Sequence, residues 1–228
     1  HLGNCQMLLS ISEYTRQEAV DLLDIPPERV INISADADAC FRKLELSNGF
    51  TQEIRERYGL RCDFIVYIGG VDWRKNTDAL IEAYARLPGD VRALHQMVVC
   101  CELPKYEQRR LKTLVSRLGL VEGEVVFTGY VSDDDLVVLY NLCKLFVFPS
   151  LAEGFGMPVL EAMRCGAAVI GSNTTSISEV IGLEAALFDP TCVSSISQKL
   201  HQALADDQFR RDLMENSKLQ AAKFSWSA

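Results

Sequence analysis

From about residue 63 onward, short unbroken apolar runs alternate with longer stretches in which apolar positions recur at helical spacing. The runs at 64–68, 96–101, 125–127, 145–148, 168–170 and 185–188 predict strands. Between them, residues 78–87, 105–118, 133–142, 158–165 and a shorter 177–181 predict helices, and 193–205 and 208–223 predict two more at the end. A strand that is apolar throughout has no face suited to water. Such strands separated by helices therefore predict a parallel sheet covered on both sides. Ser132 leads an acidic first turn with Asp135 three residues on, a capping-box-like start. The expected architecture over residues 41–228 is α/β, a Rossmann-like doubly wound domain.

The first forty residues follow another pattern. Residues 7–12 and 30–33 read as strands, Thr15-x-x-Glu18 as the cap of a helix to about Leu23, and Ile25-Pro26-Pro27 as its break. Residues 34–39 are poorly patterned. Segment 1–40 has the character of the end of something larger followed by a hinge.

Composition narrows the function classes. The 228 residues are 48% hydrophobic and 24% charged, ordinary for a globular protein. No apolar run approaches the ~18 residues that span a bilayer, and no basic-then-apolar leader opens the chain. A net charge of −8 argues against a broad nucleic-acid footprint, so an anionic ligand needs a locally positive pocket. The eight cysteines form no C-x-x-C pair and read as buried, reduced thiols, which points to the cytoplasm. The three histidines make no metal-ligand spacing with cysteines or acids, so no metal site is expected.

Ligands of such sheets bind beyond the carboxyl ends of the strands, where loops enter helices. Pro149-Ser150-Leu151-Ala152-Glu153-Gly154-Phe155-Gly156-Met157-Pro158 is one such loop, with Pro158 where a first helical turn begins and Glu161 about one turn further on. Glycines let a backbone approach a ligand, and a helix start offers free N–H groups to anions. Both carboxylates are placed to reach a ligand docked there. A sharp turn with a helix-stabilising acid fits the same residues as well. Gly69-Gly70-Val71-Asp72-Trp73-Arg74-Lys75-Asn76 combines paired glycines with adjacent cations and reads either as a diphosphate clamp or as a solvated turn. Asn76 or Thr77 is positioned to cap the following helix. Thr128-Gly129-Tyr130-Val131 can present backbone groups to a base, although a plain strand-to-helix turn fits it too.

Glu153 and Glu161 form an E-x7-E pair inside Phe148-Pro149-Ser150, Glu153-Gly154-Phe155-Gly156 and Leu160-Glu161-Ala162-Met163. With Phe127-Thr128-Gly129-Tyr130-Val131, Gly69 followed by Arg74-Lys75-Asn76, Ser176-x-x-Glu179-Val180 and Phe224-Ser225-Trp226, the chain resembles the retaining glycosyltransferases of family 4 (glycosyl transferases group 1). The resemblance covers nearly the whole chain and implies the C-terminal, donor-binding half of a GT-B fold. It implies that Lys75, with Arg74 helping, holds the diphosphate of a nucleoside-diphosphate sugar. Glu153 with Gly154, Phe155, Gly156 and Met157 would face the sugar and distal phosphate, and Glu161 would bind the ribose hydroxyls. Gly69 and Gly70 would line the phosphate loop, and Gly129, Tyr130 and Val131 would frame the base. Many members carry Arg where this chain has Gly70, and Gly166-Ala167-Ala168-Val169 replaces the usual Gly-x-Pro-Val.

The resemblance further implies hexose transfer with retention, Arg-Lys-Asn being similar to members that use GDP-mannose. The acceptor is a glycan or lipid-linked oligosaccharide, as in polysaccharide biosynthesis, and neither cofactor nor metal is involved. Residues 1–33 resemble the last strand–helix–strand of an N-terminal acceptor domain, through Leu9-Ser10-Ile11-Ser12-Glu13. On this reading the acceptor domain is missing, the chain alone binds donor without transferring it, and the intact enzyme works in the cytoplasm or peripherally at a membrane surface. The alternative is a non-catalytic nucleotide-sugar-binding module that acts only with a partner domain or chain. An oxidoreductase is disfavoured because G-x-G-x-x-G is absent after the first strand of the large domain. Asp36-Ala37-Asp38 spells a metal-binding D-x-D but lies in the hinge segment, where a three-residue match is cheap by accident.

Overall fold

A computed structural model describes residues 5–70 and 72–226. In chain order the strands and α-helices are β1 (Leu8–Ser10), α1 (Glu13–Leu23), β2 (Val30–Asn32), α2 (Asn48–Tyr58), β3 (Asp63–Ile68), α3 (Thr77–Ala85), α4 (Gly89–Leu94), β4 (His95–Cys100) and α5 (Lys105–Arg117). They continue with β5 (Val125–Gly129), α6 (Asp133–Leu142), β6 (Leu145–Phe148), α7 (Met157–Arg164), β7 (Val169–Ser172), α8 (Thr175–Ile181), β8 (Leu187–Phe188), α9 (Val193–Ala205) and α10 (Asp207–Ala221). β1 and β2 form a small parallel pair, joined through α1. The other strands form one sheet in the order β5-β4-β3-β6-β7-β8, every pair parallel.

The strand order places the site. From β3 the chain winds outward through β4 to β5, returns to lie beside β3 as β6, then winds the other way. β3 and β6 are thus neighbours, Ile65 opposite Leu145 and Val66 opposite Phe146, although 80 residues separate each pair. That reversal is the topological switch point, where a crevice opens beyond the carboxyl ends. The two motif-bearing loops leave these adjacent strands.

The sheet holds because its central strands are apolar on both faces. Phe64 to Tyr67 and Leu145 to Phe148 are fully buried, and burial of each large side chain stabilises by roughly 1.5–3 kcal/mol. Tyr140 meets Phe146 edge-on at 5.4 Å, and Phe146 stacks on Phe148 at 6.0 Å. The large, doubly wound parallel sheet expected from the sequence is present.

Local differences have local causes. The cap of α1 is Ser12, whose hydroxyl accepts from the Thr15 N–H, while Thr15 Oγ1 accepts from the Ser12 N–H. The threonine expected to cap the helix is its third residue. Helix α2 was not announced by the pattern because Ile54 is its one buried residue. Ser132 does cap α6, but the Asp135 carboxylate turns away to Arg57 and Tyr58 instead of closing a box. At 184–186 a 3-10 turn replaces the first part of the expected last strand.

Candidate functional site

The site is built on a tied pair of loops. Tyr67, fully buried, lays its ring over Gly69, where an added Cβ would sit 2.4 Å from it. Its hydroxyl donates to the Lys75 carbonyl at 2.9 Å and lies 2.8 Å from Thr77 Oγ1. Tyr67 thereby fixes the turn Trp73–Lys75 from below. Asn76 stands at the start of α3 with φ 58, yet its amide does not cap the helix. It donates to the carbonyls of Pro149 and Pro190 instead, at 3.1 and 2.8 Å. The Leu151 N–H adds a 2.7 Å bond to the Arg74 carbonyl. Two loops far apart in sequence are stitched into one surface.

At the seam, Lys75 Nζ pairs with Glu153 Oε1 at 2.7 Å, and the Ser150 hydroxyl donates to the same oxygen at 2.8 Å. The pair is largely shielded, with side-chain exposures of 30% and 17%. Glu153 is held by its backbone as well. Its N–H donates to Thr175 Oγ1 at 3.1 Å, and its carbonyl accepts from the Ser176 hydroxyl at 2.9 Å. The Gly154 carbonyl accepts from Ser12 at 2.7 Å, so the small N-terminal unit rests on this loop. Above Ser12, the Glu179 carboxylate receives the N–H groups of Glu13 and Tyr14 at the start of α1.

Gly156 precedes α7 with φ 100, a conformation open to glycine, and a Cβ there would meet Ile177 at 2.5 Å. Met157 and Pro158 open the first turn; Pro158 has no N–H and the Val159 and Leu160 N–H groups bond back to the Gly156 carbonyl, which leaves the Met157 N–H at the head of the helix. The Phe155 ring is buried edge-on against Phe224 at 5.5 Å, so this residue offers a ligand its backbone alone. One turn on, Glu161 Oε2 accepts from Tyr140 at 3.2 Å. Burial raises its pKa above the ordinary glutamate value, partly offset by the Tyr140 bond.

The remaining predicted residues lie further out. Arg74 is half exposed and clasps Asp72 at 2.5 Å, which holds the Asp72 carboxyl at about 2. Gly70 has open space around it and borders a cavity of about 390 Å³ with Asp72, Trp73, Asn76, Glu107 and Arg110. Gly129, Tyr130 and Val131 border a nook of about 140 Å³ shared with Ile68, Cys100 and Glu102. The structure thus joins Lys75 to Glu153, sets Gly154 and Gly156 in the same loop, holds Glu161 against Tyr140 on the following helix and leaves Arg74 turned to Asp72. Val71 lies outside the described residues. Tyr67 and Thr175 drew no attention in the sequence, and Ser12, Ser150, Ser176 and Glu179 stood in its motifs without a role. The run Thr174-Thr175-Ser176 was the available signal.

Asp36 takes Arg164 and the Trp226 N–H, while Asp38 accepts from the Cys40 N–H at 2.8 Å, so the D-x-D is spent on the chain itself. Among the described residues no group of three or more His, Cys, Asp or Glu is placed to hold a metal ion. All eight cysteines are free, but only Cys100 and Cys165 are buried, and Cys5 and Cys192 are exposed. Among the described residues no helix is long and apolar enough to cross a membrane.

A six-stranded parallel sheet of this order, with glycine-bearing loops at its switch point, is the doubly wound architecture of the C-terminal half of a GT-B protein. Residues 51–220 match the family described as glycosyl transferases group 1, and the chain belongs to that family. It is 43% identical over 220 residues to the serotype-specific mannosyltransferase WbdA of Escherichia coli, covering 96% of this chain and 27% of that protein. It is 34% identical over 226 residues to the O-antigen chain mannosyltransferase B of Escherichia coli, covering 99% of this chain and 58% of that one. Among solved structures, a glycosyltransferase from Rickettsia africae superposes with a TM-score of 0.84 at 16% identity, over 97% of this chain and 60% of the other. Anabaena HepE, in complex with UDP and glucose, superposes with a TM-score of 0.82 at 23% identity, over 98% and 60%. The chain therefore spans between about a quarter and three fifths of these relatives.

Proposed function

We propose that this chain is the donor-binding part of a retaining mannosyltransferase of family 4 that takes mannose from GDP-mannose. The observation that carries the reading is the shielded Lys75–Glu153 pair at the β3/β6 switch point, with Glu161 one helical turn deeper. In this reading the Lys75 ammonium and the Met157 N–H at the start of α7 meet the diphosphate. The Glu153 carboxylate accepts sugar hydroxyls, and Glu161 accepts those of the ribose. Gly129, Tyr130 and Val131 frame the base, and Gly70 lets the backbone of the phosphate loop come close.

As the bond from the sugar carbon to the diphosphate oxygen breaks, negative charge grows on the leaving group. Lys75 and the α7 N-terminus lie on one side of that position and stabilise it without moving, which is where preorganised charge is most effective. Arg74 joins them by releasing Asp72. In this reading these groups balance the charge, and no metal or cofactor takes part. Mannose is supported by the two mannosyltransferase relatives, and a glycan acceptor by the O-antigen relative. The acceptor is engaged by residues outside this chain, in the cytoplasm or at the membrane surface.

Thermal-shift and calorimetric titrations with GDP, UDP, ADP and their sugar conjugates test the reading. A ligand that binds only the folded chain raises its stability by RT ln(1 + [L]/Kd). GDP and GDP-mannose should give the largest shifts. Equal shifts from all three nucleotides would remove the assignment of guanine, and no shift from any would remove the donor site.

A further inference from the structure

Among the described residues, four other than glycine adopt a positive φ: Asp24, Ser34, Asn76 and Thr175. Asp and Asn enter this region readily because their short polar side chains bond locally, whereas a β-branched residue there is an outlier. Thr175, with φ 52, is the β-branched one. It opens α8 directly beside the Glu153 loop. Three consecutive hydroxyls from this turn reach that loop: Thr174 to the Leu151 carbonyl at 3.3 Å, Thr175 to the Glu153 N–H at 3.1 Å and Ser176 to the Glu153 carbonyl at 2.9 Å. Helix formation does not require this conformation, since a residue in ordinary helical backbone can open a helix. Unfavourable backbone conformations persist where the surroundings enforce them, and they concentrate at functional sites.

We propose that Thr175 is a positioning residue for the donor site, its left-handed backbone aiming the hydroxyl at the Glu153 N–H and so orienting the Glu153 carboxylate toward Lys75 and the sugar. With the Glu153 backbone pinned on both sides, its Cα–Cβ bond leaves the loop in one direction, and the Ser150 hydroxyl holds the carboxylate 2.7 Å from the Lys75 ammonium. Loss of the Thr175 hydroxyl frees the N–H and lets the carboxylate swing, while the Ser176 bond keeps the loop in place. The inference rests on the donor reading above.

The test compares Thr175→Gly with Thr175→Ser in this chain. Glycine accepts the left-handed conformation at no steric cost but has no hydroxyl. Thr175→Gly should melt no lower than the unaltered chain, exchange its Glu153 amide hydrogen at least about tenfold faster, and bind GDP-mannose about tenfold more weakly by calorimetry. Thr175→Ser should keep both protection and affinity. A merely structural threonine would lower melting and affinity together. Unchanged affinity in Thr175→Gly, equal losses in Thr175→Ser, or melting of Thr175→Gly well below the unaltered chain would each overturn the proposal while the donor site stands. Failure of the unaltered chain to bind GDP-mannose would instead remove the donor reading and this inference with it.

Discussion

The two loops that meet at the switch point are built in opposite ways. The loop from β6 to α7 is locked: Glu153 is bonded through its side chain, N–H and carbonyl, Gly154 through Ser12, and Phe155 by packing on Phe224. The loop from β3 to α3 is tied by Tyr67, by Asn76 and by the Leu151 N–H on the Arg74 carbonyl, while the side chains of Trp73 and Arg74 face solvent. One loop is a frame and the other carries an exposed charge. The difference suits the proposed donor site, in which one loop orients the sugar and the other meets the diphosphate.

The comparison breaks most visibly at the glycines. Gly156→Ala combines a positive φ with a Cβ 2.5 Å from buried Ile177, so it should cost roughly 2–4 kcal/mol in a denaturant melt. Gly70→Ala on the other loop meets nothing within 4 Å and should stay within about 0.5 kcal/mol. Equal costs at the two positions would erase the distinction between frame and arm.

Lys75 comes next, because it joins the two loops. Lys75→Ala should weaken GDP by about ten- to a hundredfold, the worth of ~1.5–3 kcal/mol for a charged hydrogen bond. Guanosine affinity, measured in the same calorimeter, should hardly move. A parallel loss for guanosine would place Lys75 in the architecture rather than on the phosphate.

Glu161→Gln should cost about tenfold with ribonucleotides and little with their 2′,3′-dideoxy forms. It also has a signature without ligand. Burial raises the Glu161 pKa, so its ionisation opposes folding. Its favourable contribution is complete below the unfolded-state glutamate pKa and is lost as pH rises through the higher folded value. In melts run from neutral pH downward, the unaltered chain should regain that stability and Glu161→Gln should lack the step.

The smallest effect is expected of Arg74. Its bond to Asp72 is exposed, and such pairs contribute ~0–1 kcal/mol. Arg74→Ala should leave stability unchanged and reduce GDP affinity only a few-fold, with the gap narrowing as salt is added. A loss as large as that of Lys75→Ala would mean that Arg74 is a fixed part of the clamp.

Much of this was legible beforehand. Strands such as β6, apolar at every position, read directly from the chain because a strand covered on both faces tolerates nothing else. Glu153, Glu161 and Lys75 stood out as charges in or just after glycine-bearing strand-to-helix loops, and the E-x7-E resemblance supplied the roles the residues alone left open. Helix α2 was not legible, since a helix burying one residue carries no apolar stripe. Tyr67 was hidden because a buried tyrosine in a strand looks like core until its hydroxyl is seen to reach Lys75.

What the sequence determined by itself is local: element types, the glycines at the turns and the chemistry available in each loop. All of these follow from backbone and side-chain preferences within a few residues. Tertiary structure alone decided that β6 returns to the side of β3, which brings Lys75 to within 2.7 Å of Glu153. It also decided that Arg74 faces Asp72 and that Thr175, far along the chain, holds the Glu153 backbone. Pairings of that kind are set by which buried faces fit together across the whole sheet, and no local stretch of chain contains that information.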